Sequence, residues 1–294
     1  MSITRPYIQQ TDPPRSPKET LPTMYDLPSE DPEEPGLPDE FHLWQADLLS
    51  FTFQPVNYPT DQVFVASDLN LYYDSRHPNW YKRPDWFGVV GVPRLYEGRD
   101  LRLSYVIWQE GVRPAIVVEL LSPGTRSEDL GQTRQPQGRP SEASNGGTTA
   151  ESTDTPPSKW RVYEQILAIP YYVAFDRYTD ELQAFQLEGG YYQPLDLTEA
   201  KVWIPTLQIG LGLWQGEYRG VFRQWLRWYD ASDCWILTEE EREREEKQTA
   251  QQQAQEAQQQ AQEAQQQAQE AQQRAEVLAE YLRKLGVNPD EIES

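Results

Sequence analysis

Cysteine is almost absent from this chain, which has one, Cys234, among 294 residues. An internal disulfide framework is therefore excluded, and the composition fits a reducing cytoplasm. Histidine is nearly as rare, with only His42 and His77. A histidine-rich zinc site and a Ser-His-Asp triad are thus poorly supported, and any metal chemistry is expected to use oxygen ligands.

Long apolar runs are also missing. No stretch approaches the roughly 20 apolar residues that a membrane-spanning helix needs, and the first residues lack the pattern of a signal peptide. These features predict a cytoplasmic protein with no membrane partner. Aromatic residues, in contrast, make up 12% of the chain, which is enough to build a sizeable core.

Positive charge is in short supply, and the formal net charge is −21. The acids are concentrated at the two ends: residues 1–40 carry nine acids and three bases, and residues 238–294 carry fourteen acids and six bases. Residues 41–237 carry 24 acids and 17 bases. Because the middle is only mildly acidic, the charge argues weakly against a phosphate-bearing substrate.

Composition divides the chain into four parts. Residues 1–36 are rich in proline and acids and show no periodicity, which predicts a disordered arm. Residues 37–237 carry the helix and strand signals of a folded domain, interrupted at 132–157 by a Gly, Ser, Thr and Pro sequence that predicts a flexible inserted loop. Residues 238–286 predict one long Ala/Gln/Glu-rich helix, and residues 287–294 form a short tail.

The long helix has a heptad pattern. A capping box of Thr238 and Glu241 opens it and Gly286 closes it. Between these, alanines from Ala250 to Ala275 alternate spacings of four and three, and the spacing continues through leucines 278, 282 and 285. An alanine seam buries little area, so the pattern is compatible with a weak or closely packed coiled coil or with a single solvated helix. A polar spacer and a dimerising element are about equally favoured.

Glu119 raises the central question of the folded domain. Residues 115–121 read as a short buried strand, in which five of the seven residues are Ile, Val or Leu. A carboxylate left unpaired in an apolar layer costs several kcal/mol, so Glu119 needs a cation, a donor or a metal. A salt bridge to Lys159 or Arg161 would meet this need as well as a metal would.

Two further residues form a set with Glu119. Asp85 opens a strand at "PDWFGVV", which is expected to neighbour the Glu119 strand, and Lys159 heads the helix that Ser158 is expected to cap. Two carboxylates and the backbone carbonyl of Leu120 are hard oxygen ligands that suit Mg²⁺, with Mn²⁺ as a substitute. Such an ion can activate water for attack on a phosphodiester, while Lys159 holds the water or neutralises the phosphate.

The wording of three segments supports this interpretation. "RPDWFGVVGVPR", "RPAIVVELLSPGTRSEDLG" and "KWRVYEQILAIPYYVAFDRYTDELQAFQLEGGYYQPL" together resemble the Uma family of bacterial restriction endonucleases, a branch of the PD-(D/E)XK nuclease superfamily. The resemblance covers roughly residues 40–215. It implies an α/β fold with a restriction endonuclease-like core, in which helices flank a central mixed β-sheet, and it implies Asp85 and Glu119 as metal ligands.

One spacing departs from the family pattern. The superfamily lysine usually stands two residues after the acidic ligand, where this chain has Leu121. In the Uma branch the pattern is instead Asp-Leu-Gly, then Lys, then Tyr four residues later, and here Asp129-Leu130-Gly131 is separated from Lys159 and Tyr163 by the inserted loop. Tyr163 itself reads as core packing rather than as a catalytic residue.

Two functions follow from these observations. The first is a Mg²⁺-dependent endodeoxyribonuclease, a hydrolase in which Asp85, Glu119 and Lys159 are catalytic and DNA is the substrate. The second is a catalytically silent nuclease-fold module that acts as an oligomerisation or partner-binding scaffold. A homodimer is expected, with the C-terminal helix as one candidate for its interface.

Overall fold

The computed structural model describes residues 11–21, 39–122, 124–131 and 155–286. The chain divides between Ile236 and Leu237 into two compact units. Most of the predicted arm (1–36), of the predicted inserted loop (132–157) and the whole of the predicted tail (287–294) lie outside the described residues. Within the arm, Pro17–Thr20 form one helical turn, α1, in which the Glu19 carboxylate accepts the Ser16 N–H.

A six-stranded sheet forms the centre of the first unit. The strand order is β1-β4-β6-β7-β8-β9, and every neighbouring pair is antiparallel except β6 and β7, which are parallel. The predicted central mixed sheet is therefore confirmed. Its strands are β1 (Val63–Ala66), β4 (Trp86–Val90), β6 (Ile116–Leu120), β7 (Tyr171–Asp176), β8 (Glu181–Glu188) and β9 (Tyr191–Pro194).

Two smaller sheets, each of three strands, accompany the central one. The first has the order β3-β2-β5 and the second has the order β10-β11-β12. The flanking layers therefore contain more strand than the sequence predicts. The strands are β2 (Leu71–Tyr72), β3 (Tyr81–Lys82), β5 (Tyr105–Val106), β10 (Lys201–Ile204), β11 (Ile209–Tyr218) and β12 (Val221–Tyr229).

The helices of the first unit are short. Helix α2 (Glu40–Thr52) begins where Asp39 accepts the His42 N–H, because its side chain satisfies a backbone donor that the first turn leaves unpaired. The remaining helical segments are a 3₁₀ turn (Thr60–Gln62), α3 (Ile107–Glu110), α4 (Arg126–Asp129), α5 (Lys159–Arg161) and a π-helical turn (Val162–Ile166).

The central sheet separates two apolar cores, because successive side chains of a strand point to opposite faces. On one face, Val118 and Leu120 pack with residues of α2 and of the β10–β12 sheet. On the other face, Val117 and Leu121 pack with residues of the small sheet and of the helical segment after Lys159. Glu119 shares this second face, so its carboxylate enters the core beneath the Lys159 helix.

The second unit is one helix, α6 (Glu239–Lys284), of 46 residues. The predicted capping box of Thr238 and Glu241 is present, and Gly286, with φ of 79°, follows the helix end. At about 1.5 Å per residue the helix is roughly 70 Å long. In the described part of the chain, no helix is long and apolar enough to cross a bilayer.

Candidate active site

Asp85 and Glu119 meet where the pairing of β4 with β6 ends. Trp86 is paired with Val118 in the antiparallel register, and Asp85 is the residue before Trp86. The Oδ2 atom of Asp85 accepts a hydrogen bond from the backbone N–H of Leu120 at 2.6 Å. This side-chain bond follows the last backbone pair between β4 and β6. Within the described residues, the Asp85 Oδ1 atom has no hydrogen-bond partner. One carboxylate oxygen of Asp85 thus positions the end of β6.

Glu119 is completely buried and has two partners. Its Oε2 atom lies 3.0 Å from Nζ of Lys159, and its Oε1 atom accepts the hydroxyl of Tyr163 at 3.0 Å. Burial raises the pKa of Glu119 well above its usual range, although the positive charge of Lys159 opposes this shift. The carboxylate that the sequence left in need of a partner therefore has both a cation and a donor.

Lys159 joins two carboxylates. Its Nζ atom also lies 3.1 Å from Oδ1 of Asp129, a buried residue at the end of α4. Burial alone would lower the pKa of Lys159, but the negative charges of Glu119, Asp129 and Asp85 outweigh it and hold the pKa well above its ordinary value. The surrounding negative charge therefore favours the protonated form of Lys159.

The separation of Asp129-Leu130-Gly131 from Lys159 in the sequence does not separate them in space. The Glu128 carboxylate accepts the backbone N–H of Lys159 at 3.2 Å, next to the ion pair of Asp129 with Lys159. Gly131 has φ of +64°, and a Cβ atom at this position would lie 2.8 Å from the ring of Trp160. Only glycine fits this close approach, which explains why a glycine stands two residues after the end of α4.

The helix after Lys159 is not the regular α-helix that the spacing predicts. Ser158 caps it as predicted, but after Arg161 the chain forms a π-helical turn. The wider turn buries both Tyr163 and Glu164, and the Glu164 carboxylate accepts the N–H of Tyr192 at 2.9 Å. Tyr163 is part of the core as predicted, and through Glu119 it is also part of the site. Such π turns recur at functional sites.

His42 is a neighbour of the site that the sequence did not single out. Its Nδ1 atom lies 2.8 Å from Oδ1 of Asp39, and its Nε2 atom lies 3.2 Å from the backbone oxygen of Leu120. Both partners are acceptors, so both ring nitrogens must carry a proton to bond them. The Leu120 carbonyl, which the sequence predicted as a metal ligand, is thus contacted by a histidine.

Carboxylate oxygens are the donor type that hard divalent cations prefer. The carboxylates of Glu119 and Asp129 contact a single ammonium group, whose charge also interacts with that of Asp85, and burial raises the pKa of both Glu119 and Asp129. The buried Oδ1 atom of Asp129 has no hydrogen bond of good geometry among the described residues. In the same part of the chain, no three acidic, histidine or cysteine side chains form a preformed cage. Mg²⁺ typically binds to one or two carboxylates and completes its shell with water and substrate oxygens.

Comparison with known proteins places the chain in a family. The model of the family Uma2, described as putative restriction endonuclease, matches residues 15–216, which is more than half of the chain. No curated protein matches. A crystal structure of a putative nuclease belonging to DUF820 from Anabaena variabilis is similar at 12% sequence identity, with a TM-score of 0.37, over 58% of this chain and 76% of that one. The match to the family model shows that the chain belongs to the Uma2 family, a family of the nuclease type.

Proposed function

We propose that this protein is a divalent-metal-dependent endonuclease that hydrolyses phosphodiester bonds in DNA. The observation that carries the proposal is the convergence of three residues distant in sequence. The ammonium of Lys159 contacts the buried Glu119 carboxylate. The Asp85 carboxylate accepts a hydrogen bond from the N–H of Leu120, the residue that follows Glu119 on β6. A buried ion pair alone is weak support for stability, so a functional reason for keeping these charges in the core is needed.

The proposed roles follow from the contacts. Asp85 and Glu119, with the Leu120 carbonyl, would hold Mg²⁺ or Mn²⁺, and the bound ion would supply charge stabilisation and acidify water. Lys159 would orient the attacking water or neutralise the charge that develops on the phosphate. Tyr163 holds the Glu119 carboxylate in one orientation through its hydroxyl. In the reaction, a water oxygen forms a bond to phosphorus, the bond from phosphorus to one ester oxygen breaks, and a proton passes to that leaving oxygen.

A cleavage assay tests this proposal. Supercoiled and linear DNA are incubated with the protein in Mg²⁺, in Mn²⁺ and in EDTA. We expect cleavage that requires the metal and disappears in Asp85→Asn and Glu119→Gln. Asn at position 85 keeps an acceptor for the Leu120 N–H, so loss of activity there reports on charge rather than on the fold. Glu188→Gln, at an exposed position at the end of β8, is the matched control. Metal-independent cleavage, or full activity in Glu119→Gln, would contradict the proposal.

We also propose that α6 pairs with the same helix of a second copy, in parallel. Its apolar side chains are exposed and lie near one end: Val277 (69% exposed), Leu278 (60%), Tyr281 (62%) and Leu285 (62%). Only a parallel pair in register places these residues against each other. The heptad positions e and g lie on either side of the alanine seam, and from Gln251 to Gln272 each of them is glutamine. No charge therefore opposes the approach of a second helix there.

The glutamates of the repeat lie outside this face. Glu256, Glu263 and Glu270 each stand two residues after a seam alanine, and each accepts a hydrogen bond from the glutamine four residues earlier. Pairing through α6 would serve either an active enzyme or a catalytically silent scaffold. Light scattering should show a dimer for the full chain and a monomer after deletion of residues 239–294 or for the double change Leu278→Gln, Leu282→Gln. An unchanged mass would overturn the pairing.

The orientation has a separate test. In a Cys234→Ser background, a cysteine placed by Ala254→Cys should form an intermolecular disulfide on oxidation, because parallel pairing puts position 254 opposite itself. An antiparallel pair would keep the two cysteines far apart. The cytoplasm is the location that we propose, supported by Cys234, which is free and exposed.

A further inference from the structure

The small sheet beside the site presents aromatic rings to solvent. In its register Tyr72 is paired with Tyr81 and with Val106, so these three residues share one face, whereas Leu71 and Tyr105 on the other face are completely buried. Trp108 follows in α3. We name Tyr72, Tyr81 and Trp108 the aromatic face. Exposed rings of this size are costly to leave in water and are typical of recognition surfaces.

The three rings form a continuous surface. The ring centroids of Tyr72 and Tyr81 are 5.5 Å apart, and those of Tyr72 and Trp108 are 6.5 Å apart. Tyr81 and Trp108 are each 45% exposed, so the two outer rings are both open to a ligand. Such rings can stack with unpaired bases of any sequence.

The segment that carries Tyr72 and Tyr81 is richer in bases than the chain as a whole. Residues 71–83 contain three bases and a single acid, whereas the chain carries a net charge of −21. Arg76 and Arg83 are 83% and 60% exposed, respectively, and their acidic partners are Asp74 and Asp68. These guanidinium groups are exposed enough to contact a phosphate backbone, in competition with the two carboxylates.

A short segment of chain connects the aromatic face to the candidate site. Tyr81 and Asp85 are four positions apart in the chain, so their Cα atoms are at most about 14 Å apart. Asp68 fixes this connection, because its backbone oxygen accepts Nε of Arg83 at 3.0 Å and its N–H donates to the oxygen of Pro84 at 3.1 Å. On the opposite side of β3, Lys82 lies 3.7 Å from the Glu128 carboxylate, which also accepts the N–H of Lys159.

We propose that the aromatic face is a stacking platform for the bases of a single-stranded or locally unpaired segment of DNA, adjacent to the phosphate that the site would cleave. This proposal rests on the proposed function, since it names the substrate class of the same site. A duplex keeps its bases stacked on one another and cannot offer them to these rings. A single strand can place its phosphates at Asp85 and Glu119 and its neighbouring bases on Tyr81 and Trp108.

Equilibrium binding in EDTA tests the platform without any cleavage. Fluorescence anisotropy compares a labelled single-stranded oligonucleotide with a duplex of the same sequence. We expect the single strand to bind more tightly, and Tyr81→Ala and Trp108→Ala each to weaken it by roughly five- to hundredfold, the range for loss of one stacked base. Tyr81→Phe and Trp108→Phe keep a ring and should retain most of the affinity. Tyr191→Ala removes a more exposed ring (56%) on the edge strand β9 of the central sheet and should change nothing.

Equal binding of single strand and duplex, no binding of either, or unaltered affinity in both alanine variants would overturn the platform. Its failure is distinguishable from failure of the proposed function. Asp85→Asn and Glu119→Gln should abolish cleavage yet still bind the single strand in EDTA. If single-strand binding depends on Tyr81 and Trp108 but no metal supports cleavage, the platform stands and the nuclease activity does not.

Discussion

Nζ of Lys159 lies 3.0 Å from Oε2 of Glu119 inside the folded core, and the two residues are forty positions apart in the chain. The same ammonium lies 3.1 Å from Asp129, so one cation serves two buried carboxylates. This arrangement makes Lys159 the residue on which the charge balance of the site depends.

Replacing Lys159 by methionine should be strongly destabilising in EDTA. The change leaves Glu119 and Asp129 without their cation, and breaking a buried pair in this way typically costs about 3 to 5 kcal/mol. Because a divalent cation can replace the lost charge, Mg²⁺ should recover part of the free energy of unfolding in this variant. Urea unfolding with and without Mg²⁺ measures both effects.

Arg99→Met, at an exposed position, is the control for Lys159→Met and should change stability by less than about 0.5 kcal/mol. If Lys159→Met were as stable as the wild type, the ion pairs would contribute nothing to the core.

Tyr163→Phe should weaken both the fold and the binding of metal. The change leaves Oε1 of Glu119 buried without a donor, which costs about 1 to 3 kcal/mol. Loss of a residue that orients a metal ligand commonly lowers metal affinity by roughly 10- to 100-fold. Thermal unfolding and calorimetric titration with Mn²⁺ report the two quantities separately.

Tyr105→Phe provides the comparison for Tyr163→Phe, because it also removes a buried hydroxyl, the one that donates to the oxygen of Val112 at 2.8 Å. It should lower stability without changing metal affinity. Equal effects of the two variants on metal affinity would show that Tyr163 has no specific role at the site.

The contribution of Asp39, at the start of α2, to the stability of the protein should depend on pH. Burial would raise the pKa of Asp39, but the hydrogen bonds from His42 and the charges of His42 and Arg177 outweigh it and hold the pKa below its ordinary value of 3.8. The stability that the Asp39 carboxylate contributes is therefore present above pH 4 and is lost as the pH falls through the folded pKa. Asp39→Asn retains a capping side chain and removes only the charge.

The wild type should accordingly be more stable than Asp39→Asn by about 1 to 2 kcal/mol near pH 6, and the difference should shrink as the pH falls below about 4. Asp47 lies on the same helix, is more exposed than Asp39 and pairs with Arg219. The stability of Asp47→Asn should therefore differ from that of the wild type by less than about 1 kcal/mol at every pH. A difference for Asp39→Asn that does not depend on pH would contradict this account.

Local features of the fold could be predicted from the sequence, and contacts between distant segments could not. The caps at Asp39, Ser158 and Thr238 follow from side chains within three residues of the backbone groups they satisfy. The β6 strand and its anomalous Glu119 follow from a continuous apolar run. The contact of His42 with Leu120 spans 78 positions, and no local pattern indicates it.

Other differences have their own physical reasons. The strands β2, β3 and β5 have two residues each, which is too short for a periodicity of two to be recognised. The π-helical turn after Arg161 could not be predicted, because a regular α-helix would bury the same apolar residues. Asp129 reaches Lys159 despite the inserted residues between them, since each doubling of a loop's length costs only about 0.6 kcal/mol in closure entropy.

The most direct test of the central claim is a calorimetric titration of the wild type with Mn²⁺ and Mg²⁺, beside Asp85→Asn and Glu119→Gln, repeated in the presence of an uncleavable DNA analogue. The account predicts one metal site in the wild type, strengthened by the phosphate oxygens of the DNA and lost in both variants. Absence of metal binding in the wild type even with DNA present, or binding that survives in both variants, would contradict it.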